Sequence, residues 1–356
     1  MKVLRPYQQD LVRLSDRALA TGHKRHIIQV PTGGGKTVVA AEIVRRQNVR
    51  VLYVVPSIEI LRQTEKTLRK FGVRFQTLSA GTWPRLRSHR VVLAMAQTLA
   101  RRIDWISDTT WRPGLIVFDE AHRLLDQHVE TLLSFPVASI GLTATPVRLD
   151  GKPLGSVWPL TLQGPSVRDL QKAGTLCPVH TVLWPIAKLK GLRVKGGDFD
   201  QSALEQRLLE SGAPEQVAAS WAKYLKGRKC LAFCPGRHVS QAIVEALTLA
   251  GARAVHVDAQ TPAADRDLAL AMLARGQLDV VSNCGLFVEG LDVPTLDAVI
   301  CCRPTMSLTL WLQMAGRGMR TSPGKKDCML IDHGDCTNRL GNVESDRDWG
   351  SSGAPR

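Results

Sequence analysis

Pro31-Thr32-Gly33-Gly34-Gly35-Lys36-Thr37 is the stretch that decides the fold of the first half of the chain. A strand-like apolar run at 27–30 precedes it and a helix-like run at 38–46 follows it, which is the order that a phosphate-binding loop requires. Glycines let backbone N–H groups turn towards phosphate oxygens, and the N-terminus of the next helix adds partial positive charge. The pattern therefore predicts that Lys36 reaches the β- and γ-phosphates of a nucleotide and that the Thr37 hydroxyl binds Mg²⁺.

A second motif follows another apolar run. Leu115-Ile116-Val117-Phe118-Asp119-Glu120-Ala121-His122 places two carboxylates at the end of a strand, where ligands bind in open α/β sheets. We predict that Asp119 holds Mg²⁺, directly or through water, and that Glu120 orients and deprotonates an attacking water. An acidic pair after a strand is often only a helix N-cap, but together with Lys36 and Thr37 it indicates an Mg·ATP site.

Apolar runs alternate with helical stretches in two series. The first series has strand-like runs at 27–30, 51–55, 91–94, 115–118 and 137–142. The second has them at 230–234, 253–257, 278–281, 298–302 and 328–332. Continuous β-rich runs are typical of strands buried on both faces of a parallel sheet. The sequence predicts an α/β fold with two tandem domains, 1–160 and 161–336, each a mostly parallel sheet flanked by helices, and a mobile tail at 337–356. The basic, glycine-rich stretch 188–200 is interpreted as a loop or small insertion.

Charge and composition narrow the class of protein. The 47 Lys and Arg exceed the 32 Asp and Glu, a formal net charge of +15, which favours a polyanionic partner such as nucleic acid over an anionic membrane. Many soluble proteins are basic without binding nucleic acid, so charge alone leaves that alternative open. No apolar run approaches the ~20 residues that span a bilayer, and the N-terminus offers no signal-peptide core. The eight cysteines form no CxxC pair, so we expect a reduced, cytoplasmic protein with no membrane partner.

The order of motifs resembles a known family. PTGGGKT followed by DEAH is similar to a superfamily 2 helicase or translocase, and further segments match that family in order over nearly the whole chain. The resemblance implies two RecA-like domains of the P-loop NTPase type, ATP and Mg²⁺ as cofactors, and nucleic-acid-stimulated ATP hydrolysis.

Further nucleotide contacts are implied by this resemblance. Leu4-Arg5-Pro6-Tyr7-Gln8 is similar to the family's adenine-reading segment, which implies Gln8 at the adenine edge and Arg5 near the base. In the second domain, the resemblance implies Gly290 and Asp292 at the nucleotide, with Asp292 reaching the ribose.

Catalytic arginines are also implied by the resemblance. Gln313-Met314-Ala315-Gly316-Arg317-Gly318-Met319-Arg320 matches motif VI, QxxGRxxR. It implies that Arg317 and Arg320 close over the γ-phosphate from the second domain and that Gln313 contacts the γ-phosphate or its water. The expected catalytic set is Lys36, Asp119, Glu120, Gln313, Arg317 and Arg320.

Other segments resemble motifs that contact nucleic acid or couple it to ATP. Val54-Val55-Pro56-Ser57 is similar to motif Ia, Thr143-Ala144-Thr145-Pro146 to motif III, and the region 282–294 to motif V. Gln97-Thr98-Leu99 lies where another strand-contacting motif is expected. The resemblance thus implies contact or coupling roles for Pro56, Ser57, Gln97, Thr98, His122, Thr143, Thr145, Ser282 and Asn283.

Within the superfamily, LRPYQ and the region 303–328 resemble the bacterial RadD repair helicases, with phage and XPB-like helicases next. This implies a bacterial or phage-encoded motor in DNA repair, recombination or replication, acting as a monomer on DNA rather than RNA. A single-strand-binding or repair protein would be its partner, and movement would run 3′→5′. The zinc region of RadD-type proteins is not carried over, because the chain ends soon after Cys336.

Two residues depart from the patterns of the family, and several alternative functions stay open. Val30 stands where the general phosphate-loop pattern has glycine, and Glu289 stands where motif V commonly has arginine. A duplex translocase that does not separate strands and an RNA helicase stay open. A nucleic-acid-binding scaffold with a vestigial ATP site is disfavoured by five intact residues of the expected catalytic set: Lys36, Asp119, Glu120, Arg317 and Arg320.

Overall fold

The computed structural model describes residues 3–78, 89–101, 111–123, 136–148, 154–288 and 293–349. The chain divides into two compact units. Unit 1 comprises Met1–Ser166 and Arg347–Arg356, and unit 2 comprises Val167–Asp346. The predicted α/β class, with two mostly parallel sheets, is confirmed.

Unit 1 is built on a seven-stranded sheet. Its strands are β1 (Arg25–Gln29), β2 (Val51–Val55), β3 (Phe75–Leu78), β4 (Val91–Met95), β5 (Leu115–Asp119), β6 (Ala138–Thr143) and β7 (Leu160–Gln163). All pair in parallel, in the order β3-β4-β2-β5-β6-β1-β7. Its described helices are α1 (Pro6–Ala20), α2 (Lys36–Arg46), α3 (Ile58–Lys70) and α4 (Ala96–Ala100).

Both faces of this sheet are covered. Tyr53 and Ile43 belong to a buried cluster on one face, and Leu52, Trp111 and Trp158 belong to a second cluster on the other. Alternate residues of β2 point to opposite faces, so an uninterrupted apolar strand is what two covered faces require. The registers place β5, β6 and β1 side by side, so their carboxyl ends meet at one edge.

Unit 2 is built on six parallel strands in the order β12-β13-β11-β14-β15-β8. They are β8 (Val179–Leu183), β11 (Cys230–Cys234), β12 (Ala254–Val257), β13 (Val280–Cys284), β14 (Ala298–Cys301) and β15 (Cys328–Asp332). A separate antiparallel hairpin consists of β9 (Val194–Lys195) and β10 (Asp198–Phe199). The described helices are α5 (Val167–Lys172), α6 (Gln201–Glu210), α7 (Ala213–Tyr224), α8 (Arg237–Leu249), α9 (Ala263–Ala274), α10 (Leu308–Gly316) and α11 (Cys336–Leu340).

The structure differs from the sequence prediction at three strands and at the domain limits. β3, β7 and β8 were missed, and each lies at the edge of its sheet, where half-buried strands mix polar and apolar residues. Unit 1 extends beyond the predicted limit at 160 because β7 pairs with β1.

The segment expected to be a mobile tail is packed over its described part. It begins with α11, and the side chains of Val343 and Trp349 are 2% and 4% exposed. Burial of these two apolar side chains holds the segment in place. Over the described residues, no helix combines the length and apolar character needed to cross a bilayer.

Candidate functional site

The loop between β1 and α2 has the shape that its glycines permit. Gly33 and Gly35 both have φ +84°, a left-handed conformation that costs side-chain-bearing residues energy. The backbone N–H of Gly34 donates to the Pro31 carbonyl at 2.9 Å, which closes the turn. α2 then begins at Lys36 without a side-chain cap. No side chain therefore competes with an anion for the N–H groups of Lys36 and Thr37, while the Val38 N–H donates to the Gly35 carbonyl at 3.0 Å.

The N-terminal segment lies against this loop, as the adenine-reading prediction requires. The Tyr7 hydroxyl donates to the Gly34 carbonyl at 2.6 Å, and Gln8 Nε2 lies 3.5 Å from the same oxygen. Gln8 Oε1 accepts from the backbone N–H of Arg5 at 3.0 Å, which fixes the amide at the start of α1. Gln8 is buried and Arg5 is exposed. The structure thus brings Gln8 to the loop and leaves the Arg5 side chain at the surface.

The predicted catalytic residues of unit 1 converge at the ends of β1 and β5. Lys36 Nζ lies 3.4 Å from Glu120 Oε1, and the Thr37 hydroxyl donates to Asp119 Oδ2 at 3.4 Å. The hydroxyl of Tyr53, on neighbouring β2, donates to the same Asp119 oxygen at 3.1 Å. Tyr53 was not among the predicted site residues, although one hydroxyl in an otherwise apolar strand is the signal that could have found it.

The Asp119 carboxylate is held at a high electrostatic cost. Burial, with the adjacent Glu120 charge as a second cause, raises the pKa of Asp119 to about 6, and the Lys36 ammonium opposes that shift. Glu120 Oε2 is buried and has no hydrogen-bond partner among the described residues, although it lies 3.4 Å from His122 Nδ1. Mg²⁺ prefers oxygen ligands, and the Thr37 hydroxyl and Asp119 carboxylate supply two of them. The donor set therefore fits Mg²⁺ beside a phosphate-binding loop.

A hydrogen-bonded link runs from His122, whose Nδ1 lies 3.4 Å from Glu120 Oε2, to the predicted coupling segment. The Thr143 hydroxyl donates to the Thr145 carbonyl at 2.8 Å and accepts from the Thr145 N–H at 3.1 Å. Since the one hydroxyl proton is used, His122 Nδ1, 3.0 Å away, must carry the proton and donate to Thr143. The Val30 N–H in turn donates to the Thr143 carbonyl at 3.0 Å. This segment is thus joined to both the carboxylates and the phosphate loop.

The other predicted contacts of unit 1 follow neighbouring strands. Pro56 and Ser57 come after β2, and Gln97 and Thr98 lie in α4 directly after β4, which pairs with β2. Ser57 caps α3 by accepting from the Ile60 N–H at 3.4 Å. Gln97 is exposed, and the other three are half-buried. All four therefore lie at the same edge of the sheet as the carboxylates.

Motif VI in unit 2 is turned mostly inward. Gln313 and Arg317 are 3% and 5% exposed. Arg317 Nε donates to the Val288 carbonyl at 2.8 Å, and its Nη2 donates to the same oxygen. Arg320 is half-buried and forms an antiparallel bridge with Leu176. The roles of these three side chains at a γ-phosphate stay predictions. Two further predicted nucleotide contacts, Gly290 and Asp292, lie outside the described residues.

Ser282 and Asn283 differ from the expectation that they contact nucleic acid. Both are fully buried in β13. The Ser282 hydroxyl lies 2.7 Å from that of Ser240, which lies 2.6 Å from His256 Nδ1, and Asn283 Nδ2 donates to the Ala232 carbonyl at 2.8 Å. These side chains therefore join the strands of unit 2, and a role for them in nucleic-acid contact or coupling stays a prediction.

The fold and the candidate site together define a class of protein. The chain has the P-loop, the acidic pair and the duplicated parallel sheet of a two-domain nucleoside-triphosphate-binding protein. Residues 1–148 match the family model described as type III restriction enzyme, res subunit, and residues 215–322 match the helicase conserved C-terminal domain. The chain therefore carries two domains that match those of superfamily 2 helicases, and several of its relatives are named as ATP-dependent helicases or DNA translocases.

Curated relatives span most of the chain. A 51.5 kDa protein of Lactococcus phage (isolate 7-9) is 29% identical over 91% of this chain and 68% of its own length. The putative ATP-dependent helicase IRC3 of Saccharomyces cerevisiae is 28% identical over 93% of this chain, which spans 51% of that relative. The DNA 3'-5' translocase XPB2 of Sulfurisphaera tokodaii is 25% identical over 92% of this chain and 81% of its own length.

A solved structure supports the fold. The fragment of a putative HsdR subunit of a type I restriction enzyme from Vibrio vulnificus YJ016 superimposes with a TM-score of 0.76 at 22% identity. The superposition covers all of this chain and 68% of the HsdR fragment. The prediction of two tandem RecA-like domains is confirmed.

Proposed function

We propose that this chain is an Mg·ATP-dependent motor that moves along or unwinds DNA. The observation that carries the proposal is the convergence of Lys36, Thr37, Asp119 and Glu120 at one edge of the unit 1 sheet, in a chain that also contains a helicase C-terminal domain. A vestigial ATP site would not need to retain the buried Asp119 carboxylate, whose burial is costly, or the Lys36–Glu120 ion pair beside it.

The residues of unit 1 divide the chemistry among them. Backbone N–H groups of the loop and the Lys36 ammonium bind phosphate oxygens, while Thr37 and Asp119 hold the cation. When bound, Mg·ATP supplies the phosphoryl group that water attacks and the positive charge that stabilises its transfer. Glu120 orients that water, and its Oε2, which has no hydrogen-bond partner, is the atom that takes the proton. His122 and Thr143 transmit a change at Glu120 to the segment 143–146.

DNA is proposed as the track. The net charge of +15 favours binding to a polyanion, and one relative is named a DNA 3'-5' translocase. Movement 3′→5′ is proposed from that relative's name, and a role in repair or recombination is proposed from the resemblance of LRPYQ and the region 303–328 to bacterial RadD repair helicases. Gln97, exposed beside the half-buried Ser57, is proposed to contact the strand. A duplex translocase that does not separate strands is the second candidate, favoured by that same relative's name.

The test is ATP hydrolysis by the purified chain, alone and with single-stranded DNA, duplex DNA or RNA, with Lys36→Ala as the inactive control. We expect DNA to raise the rate at least tenfold over both the polymer-free rate and the rate with RNA. An equal rate in all four mixtures would rule out a DNA-coupled motor. Strand displacement measured beside triplex displacement then separates a helicase from a duplex translocase.

A further inference from the structure

A basic hairpin in unit 2 is not explained by the ATP site. We call residues 188–199 the basic hairpin; they contain β9 and β10. Its four cations, Lys188, Lys190, Arg193 and Lys195, are all exposed, and no acidic residue lies between 188 and 197. Within the described part of the chain, no ion pair engages any of the four. Like charges this close repel one another, so a polyanion is the partner that would relieve the repulsion.

The basic hairpin is held firmly on unit 2. Asp198 Oδ2 accepts from the Thr305 hydroxyl at 2.7 Å, and its Oδ1 accepts from the Met306 N–H at 2.8 Å. The Phe199 ring lies 5.5 Å from the Arg339 guanidinium. The acidic residue of the hairpin is thus used for anchoring and does not neutralise the neighbouring cations.

The turn of the basic hairpin is equally defined. Gly196 and Gly197 link the two strands and have φ values of +62° and +84°. Two successive positive φ values are what a tight two-residue hairpin turn requires, and glycine adopts them at low cost. The cations are therefore presented on a short, ordered element.

The basic hairpin lies at the edge of the unit 2 sheet that the carboxyl ends of its strands form, which is where ligands bind in open α/β sheets. The basic hairpin follows β8, and Thr305 and Met306 follow β14, so both segments leave the carboxyl ends of parallel strands. The loop that anchors the hairpin leads directly into α10, which carries Gln313. A contact at the hairpin is therefore adjacent to motif VI within the same unit.

We infer that the basic hairpin binds the phosphate backbone of the DNA on which this protein acts. The inference rests on the proposed function and adds a contact outside the helicase motifs. Lys190, Arg193 and Lys195 each neutralise a phosphate and release counterions. Contacts to phosphates do not depend on the base, so the basic hairpin binds the strand without sequence specificity.

The experiment compares two triple variants that lose the same charge. Lys190→Ala/Arg193→Ala/Lys195→Ala removes the hairpin cations. Lys172→Ala/Lys226→Ala/Arg275→Ala is the matched control. Its three exposed cations lie at or near the connections that enter β8, β11 and β13, at the opposite edge of the sheet. The affinity of the full chain for a labelled single-stranded DNA is measured by anisotropy over a salt series, with thermal unfolding as the check on folding.

The hairpin variant is expected to bind DNA at least tenfold more weakly at low salt. Because each lost phosphate contact removes about 0.7 from the slope of log K against log salt, its slope falls by roughly 2. The control is expected to keep the wild-type slope. Equal losses in both variants, or wild-type binding by the hairpin variant, would overturn the inference and leave the proposed function standing. Absence of DNA binding by the wild-type chain would overturn both.

Discussion

Glu120 combines an uncommon backbone conformation with an unpaired carboxylate oxygen. Its φ of +49° lies in the left-handed region, which costs a non-glycine residue on the order of 1 kcal/mol. That conformation brings its carboxylate within 3.4 Å of Lys36 Nζ on one side and of His122 Nδ1 on the other. Such strain persists where the surrounding structure holds it, and here it points the carboxylate at the phosphate loop.

Glu120→Gln tests the proton acceptor. The amide keeps the size of the side chain but cannot take a proton, so we expect nucleotide binding within a few-fold of wild type and hydrolysis reduced by at least 10². Fluorescent nucleotide titration and steady-state hydrolysis measure the two properties. Lys36→Ala is the contrasting control, since it is expected to lose binding as well. Turnover by Glu120→Gln near the wild-type rate would remove the base assignment.

Asp119→Asn tests the raised pKa. The folded state binds a proton more tightly than the unfolded chain, because the pKa of Asp119 rises from 3.8 to about 6. The stability from that proton is complete below pH 3.8 and is lost as the pH rises through about 6. Without nucleotide or Mg²⁺, the stability of Asp119→Asn relative to wild type should therefore increase from pH 4 to pH 7, by on the order of 2 kcal/mol.

Urea unfolding at several pH values measures this difference. Asp267→Asn, which removes an exposed carboxylate of α9, is the control for the loss of one carboxylate. A pH-independent difference for Asp119→Asn would show that Asp119 does not hold a raised pKa in the folded protein.

Among the secondary-structure elements, the described helices differ in how their first turns are capped. α3, α6 and α10 begin with side-chain caps, from Ser57, Asp200 and Ser307. α2 begins after Gly35 without one. A capped helix has already satisfied one of its free N–H groups, whereas α2 follows the phosphate loop and has no side-chain cap that would compete with phosphate for the N–H groups of Lys36 and Thr37.

Gly35→Ala is the matching prediction at the start of α2. An added Cβ at φ +84° would lie 2.6 Å from Gln8 Nε2, so it strains the backbone and displaces the amide that contacts the loop. Gly251→Ala, after α8, has φ +90° and no atom within 4 Å of an added Cβ. Both changes should lower stability by about 1–2 kcal/mol. Only Gly35→Ala should lose nucleotide affinity, by at least tenfold in a titration. Equal affinities for the two variants would contradict the role of the loop geometry.

The whole molecule has two separately built cores. Each unit covers both faces of its own sheet with a distinct apolar cluster. The last described residues return to unit 1, where Gln163 Oε1 accepts from the Trp349 N–H at 3.1 Å and Gln163 Nε2 donates to the Arg347 carbonyl at 3.0 Å. Unit 1 is therefore discontinuous in sequence.

Trp349→Ala tests this discontinuity. Loss of a buried tryptophan is expected to destabilise unit 1 by roughly 3 kcal/mol. Hydrogen exchange should show lost protection in β7 of unit 1 and little change in β11 of unit 2. Leu249→Ala, at a side chain 90% exposed, is the control and should alter neither strand. Equal loss of protection in both strands after Trp349→Ala would show that residues 347–349 do not belong to unit 1.

Prediction from the sequence succeeded where the signal is local. β2 and β5 are uninterrupted apolar runs, and the phosphate loop is a fixed spacing of glycines before Lys36, so each could be recognised without knowing its neighbours. The edge strand β3 could not be recognised in this way. Its residues are mostly half-buried, so it mixes polar and apolar side chains and contains no uninterrupted apolar run. The inward direction of Ser282 was also not recognised, since a polar residue in a strand is equally compatible with a ligand contact.

By itself, the sequence determined the two parallel sheets, the phosphate-binding loop and the acidic pair, because periodicity, glycine spacing and charge act over a few neighbouring residues. Only the tertiary structure decided that the Tyr53 hydroxyl lies on Asp119 and that Asp198 anchors the basic hairpin at Thr305. Those contacts join residues 66 and 107 positions apart, respectively. They depend on which strands become neighbours, and strand order follows from the packing of the whole sheet.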